Sequence, residues 1–157
     1  MKTLVLGIGN TLLTDEGVGI HVTQHLQTLL PPTEDVEILD GGTLSFTLAG
    51  PIEDADALIV VDAAQLKSAP GTLQVFEGEA MDAFLLSNRK STVHEVGLTD
   101  LMSIARLTGH WPERRVLIAI QPDKVNWGEH PTARVAAAVP LACAHIQSLI
   151  ENWRNVA

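Results

Sequence analysis

Two hydrophobic periods alternate along the chain. Lys2 to Ile8 is an almost unbroken apolar run ending in glycine, "ALIVVDAA" from Ala57 to Ala64 is a stronger one, and "RRVLIAIQP" from Arg114 to Pro122 is a third. Apolar runs without polar alternation predict strands buried on both faces of a parallel sheet. "VEILD", Val36 to Asp40, predicts a short strand between the first two, while "GTLQVF", Gly71 to Phe76, alternates as an edge strand does.

Between these runs the period becomes helical. Val18, Val22, Leu26 and Leu29 share one face over residues 17–30, and Pro31-Pro32 stops the segment. "GGTLSFTLAGPIEDAD" predicts a loop and a brief helix, and "AMDAFLL" a short helix. Val96, Leu98, Leu101, Met102 and Ala105 fall on a helix closed by Gly109. From Thr132 to Trp153 the period is helical again, with Pro140 expected to kink or divide it. Strand and helix in alternation predict a single three-layer α/β/α domain over residues 1–157, with a mostly parallel twisted sheet of about five strands and right-handed crossovers. In such a sheet ligands bind beyond the carboxyl ends of the strands.

Composition narrows the classes. A chain of 157 residues that is 46% hydrophobic buries about two-thirds of its unfolded surface and needs no disulfide or structural metal to fold. A net charge of −9 and the lack of any Lys/Arg cluster exclude a phosphate-tracking surface, so no nucleic-acid partner is expected. The single Cys143 leaves no internal disulfide and fits a reducing compartment. Gly and Asn interrupt the first apolar run, and no small-residue cleavage site follows. No apolar run approaches the ~20 residues that span a bilayer. The expectation is a cytoplasmic monomer with no membrane partner.

The candidate chemistry stands at the strand ends. Asp15 and Glu16 follow the first strand, Asp40 ends the second, Asp62 ends the third, and His94 precedes the helix after the edge strand. The fold brings these to one rim, and several carboxylates there cannot all stay ionised without a cation. Two carboxylates and one imidazole suit a divalent transition ion such as zinc, manganese or nickel. Each residue also has a plainer reading, since Asp15 or Asp40 alone could cap the following helix and His94 alone could be a surface histidine. Asp62 is harder to dismiss, because the most buried strand fixes it.

Competing motifs are weaker. "GIGNTL" starts like a dinucleotide fingerprint, but its third glycine is misplaced and Asp15-Glu16 would repel a pyrophosphate. "HEVGL" lacks the second His of the zinc-protease helix, because Leu98 stands there. His21 and His25 have metal-pair spacing on a helix already explained by packing, and Cys143 lies among alanines as a buried thiol would. No Ser sits in a nucleophile elbow.

In order, "LVLGIGNTLLTDEGVG", "DGGT", "LIVVDAA", "STVHEVGLTDL" and "IAIQPDKVNWG" resemble the hydrogenase maturation endopeptidases that process nickel-iron hydrogenase large subunits. The resemblance runs from Met1 to about Gly128, and five motifs in sequence make it specific. It implies a cytoplasmic endopeptidase that removes the C-terminal extension of the large-subunit precursor after nickel insertion. It also implies that Glu16, Asp62 and His94 bind the metal, with Glu16 and Asp62 serving catalysis, and that Asp40, Gly41, Gly42 and Thr43 contact substrate. On this reading the nickel is presented by the precursor, and zinc or cadmium can substitute for it. The alternative from another class is a nickel-binding maturation chaperone or checkpoint protein with the same cleft and no hydrolysis.

Overall fold

The computed structural model describes residues 1–43, 46–88 and 97–156. Five strands form one sheet: β1 (Thr3–Ile8), β2 (Val36–Gly42), β3 (Ala57–Ala63), β4 (Leu73–Glu77) and β5 (Arg114–Ile120). Their order is β2-β1-β3-β5-β4, with every pairing parallel except β4 on β5. The alternating "GTLQVF" segment is thus an antiparallel edge, and the expected mostly parallel sheet of about five strands is found.

Helices cover both faces: α1 (Val18–Leu29), α2 (Ala49–Asp54), α3 (Glu79–Ser87), α4 (Leu98–Leu107) and α5 (Ala133–Asn155). The central strands are apolar throughout because side chains alternate between two cores. Val5, Ile59, Val61 and Ile118 pack with α1 and α5 on one side. Leu4, Leu6, Leu58 and Val60 pack with α2, α3 and α4 on the other. Three layers result.

Local signals set several boundaries. Leu30 is extended at φ −109°, ψ 127°, the conformation that a following proline imposes, and α1 stops there. Pro140 neither divides nor ends α5, which runs unbroken for 23 residues. Pro140 and Ala136 both lie on its exposed side, so the carbonyl that Pro140 leaves without an amide partner faces water. Contrary to the expectation that no segment reaches spanning length, α5 is long and apolar enough by length and composition to cross a bilayer. A buried stripe of Val135, Ala138, Ala142, Cys143, Ile146 and Ile150 instead covers α1 and the sheet.

Candidate active site

The chain leaves β1 at Ile8 and folds back on itself into a short 3-10 turn, Thr14–Gly17, that runs straight into α1. Gly9 makes this reversal, with φ at +144°, and a Cβ on it would collide with the Glu16 carbonyl oxygen. Thr14 sits at φ +45°, a costly conformation for a residue with a branched Cβ. Three hydrogen bonds hold it there. Its N–H donates to the Gly128 carbonyl at 2.8 Å, its hydroxyl donates to the Lys124 carbonyl at 2.6 Å, and that hydroxyl accepts from the Asn126 N–H at 3.2 Å.

Asp15 completes the tie to this second loop. Its Oδ2 accepts from the N–H groups of Asp123 at 2.8 Å and Lys124 at 2.9 Å, and its Oδ1 accepts from the Thr132 N–H at 2.7 Å. The Thr132 hydroxyl donates to Oδ2 at 2.8 Å. Asp15 is fully buried. Burial opposes its charge, but the bonds from Lys124, Thr132 and Asp123 outweigh that and hold its carboxyl below the usual range. The sequence groups Asp15 with the rim acids or makes it a helix cap. It does neither here, because the residue before α1 is Gly17 and both Asp15 oxygens turn away toward the loop after β5.

Glu16, next along the turn, lines a cleft of about 420 Å³ at the carboxyl ends of the strands. Asp62, at the end of β3, lines the same cleft, and both carboxylates are half-buried. The hydrophobic side chains of Ile8, Leu98 and Leu117 contribute apolar wall. Two carboxylates so placed offer hard oxygen donors to a divalent cation, or a general base. His94 lies outside the described residues. Among the described residues no group of three His, Cys, Asp or Glu side chains is arranged to hold a metal ion.

The "DGGT" stretch divides in two. Gly42 and Thr43 line the cleft, whereas the Asp40 carboxylate accepts the Gly42 N–H at 2.8 Å and shapes the turn. Gly41 is the extra residue of a bulge, since β1 pairs Gly7 with Asp40 but Ile8 with Gly42. A Cβ on Gly41 would sit 2.8 Å from a Leu6 methyl and 3.0 Å from the Gly7 carbonyl. Its role is to let β2 lie close on β1.

Sequence reasoning passed over Asp100, which also lines the cleft from the first turn of α4 and accepts the Gly97 N–H at 3.0 Å. The signal was present in "GLTD", the spacing of a carboxylate that reaches back over a helix start. Thr132, which directly precedes α5, was likewise legible as a helix-start residue, though its hydroxyl serves Asp15. Cys143 is buried, its thiol pushed up to about 11 by that burial and donating weakly to the Val22 carbonyl at 3.5 Å, so it is an inert core residue.

A second hollow of about 400 Å³ opens by Pro31, Val36 and Arg154, toward the start of β2. Its one charged group, Arg154, is already engaged with both oxygens of Asp35 at 2.7 and 2.9 Å. The cleft lined by Glu16 and Asp62 opens at the other end of the sheet.

Comparisons with known proteins give the family. The sequence model of the family described as hydrogenase maturation protease, HycI, matches residues 20–149. The hydrogenase 2 maturation protease of Escherichia coli (strain K12) is 39% identical over 127 residues, covering 80% of this chain and 76% of that one. The hydrogenase expression/formation protein HupD of Rhizobium leguminosarum bv. viciae is 36% identical over 153 residues, covering 97% of this chain and 75% of that one. The solved hydrogenase maturating endopeptidase HybD from E. coli matches with a TM-score of 0.86 at 35% identity, covering 97% of this chain and 93% of that one. The chain belongs to the hydrogenase maturation protease family and is a peptidase of that kind.

Proposed function

We propose that this peptidase cleaves the C-terminal extension from the nickel-loaded precursor of a nickel-iron hydrogenase large subunit, acting as a cytoplasmic monomer. The observation that carries the proposal is that Glu16, from the turn before α1, and Asp62, from the end of β3, line one cleft. Nickel enters as part of the substrate, and Glu16, Asp62 and His94 complete its coordination, a donor set that zinc or cadmium can also satisfy. A precursor without metal leaves the two carboxylates of the cleft without that counter-charge and binds poorly. Docking on the metal aligns the scissile bond, and the metal supplies Lewis-acid polarisation of the carbonyl.

Of the acids weighed from the sequence, Asp15 is saturated by loop hydrogen bonds and Asp40 is turned onto Gly42. Glu16 and Asp62 are left to take the proton of the attacking water. The Gly42–Thr43 backbone flanks the entering peptide.

Incubating the protein with precursor, with and without nickel, and weighing the precursor by mass spectrometry tests this reading. Loss of a C-terminal peptide only with nickel is expected, and Glu16→Gln or Asp62→Asn should slow it at least ~100-fold. A stable complex with unchanged precursor mass would overturn hydrolysis in favour of a nickel-binding checkpoint protein.

A further inference from the structure

The two tied loops that position Glu16 also expose apolar side chains, one of which reaches the cleft. Trp127 is 82% exposed, Val125 52% and Leu12 51%. Gly128, beside Trp127, donates its N–H to the Leu12 carbonyl at 2.9 Å, and Leu13 bridges to Gly128, so the two loops run together here. Val125 lines the cleft that holds Glu16 and Asp62. Single exposed apolar residues are ordinary, but a Trp and two aliphatic side chains carried on two loops tied to each other, one of them lining the cleft, have the composition of a recognition surface. The backbone beneath it is fixed in advance by the Thr14 and Asp15 hydrogen bonds, which lowers the ordering cost of docking.

We propose that Leu12, Val125 and Trp127 form a docking rim that seats an apolar face of the precursor's folded body while its C-terminal segment enters the cleft. The proposal rests on the peptidase reading of that cleft and adds the surface that selects a protein substrate. Val125 belongs to rim and cleft alike, so a protein whose tail reaches Glu16 and Asp62 passes the edge of the rim. A second copy of this chain is the poorer occupant, because two chains each carrying a net charge of −9 repel.

The test compares wild type with Trp127→Ala and Trp127→Phe, using nickel-loaded precursor over a range of concentrations. For Trp127→Ala the expected result is a KM raised about 30-fold, with kcat within about twofold and the melting temperature unchanged. Trp127→Phe should restore most of the loss. An unchanged KM, or a fall in kcat alone, overturns the rim. If wild type does not cleave, the peptidase reading fails separately, and titration of precursor into both proteins still decides the rim. An affinity loss of similar size in Trp127→Ala supports it, and equal affinity overturns it. Wild type that sediments as a dimer and becomes monomeric in Trp127→Ala would assign the patch to self-association and also overturn the proposal.

Discussion

Asp15 and Glu16 are neighbours in the chain with opposite fates. Glu16 faces the cleft, while Asp15 is buried and receives three backbone N–H groups from residues 108 to 117 positions away. Removing that carboxylate strands those donors, so Asp15→Ala should cost about 3 kcal/mol of stability at neutral pH. The pH dependence has a definite sign. Because the folded carboxyl lies below its ordinary value of 3.8, its contribution is complete above that value and is lost as pH falls toward the lowered folded one. Denaturant titrations of wild type and Asp15→Ala should therefore differ most at pH 7 and by less below about pH 4. A difference that stays constant on acidification would remove Asp15 as the latch. The identity of the acids was legible in "TDEG", and the family resemblance pointed to Glu16, but strand ends alone did not separate it from Asp15.

Among the elements, β5 shows how one strand divides its duties along its length. At its start Arg115 is buried and grips both oxygens of Asp82 on α3 at 2.9 and 2.7 Å, beside the Trp111 ring. Past its end come Pro122 and Val125, which line the cleft. Asp82→Ala leaves the Arg115 charge without that carboxylate and should cost about 3 kcal/mol, with cleavage per folded molecule unchanged, as chemical denaturation and precursor assays on one preparation will measure. A large fall in kcat at full folding would contradict this separation of ends. The strands themselves were readable because burial on both faces leaves an apolar run with little ambiguity. That Pro140 would not divide α5 was beyond the sequence, because its exposure, which decides the cost of the missing bond, belongs to the packed helix.

At the scale of the molecule, one sheet serves two cores, so neither layer has a surface on which to stand alone. Trp153 packs on the core of α1 and α5, and Trp111 on that of α2, α3 and α4. Variants that keep only one of these two, with Trp127 also replaced by Phe, should report the same guanidinium midpoint as far-UV circular dichroism. Two distinct midpoints would show that the layers unfold separately. By itself the sequence determined the strands, most helices, the α/β class and the set of acids near the rim, since these depend on periods of two and 3.6 residues and on strand ends. Only the tertiary structure decided that Asp15 serves the loop after β5, that Asp100 joins Glu16 and Asp62 in the cleft, and that Leu12 and Trp127 are carried on adjoining loops. Those outcomes turn on contacts between segments far apart in the chain, more than a hundred residues for Asp15, and no local pattern encodes which way a carboxylate will face when the two loops meet.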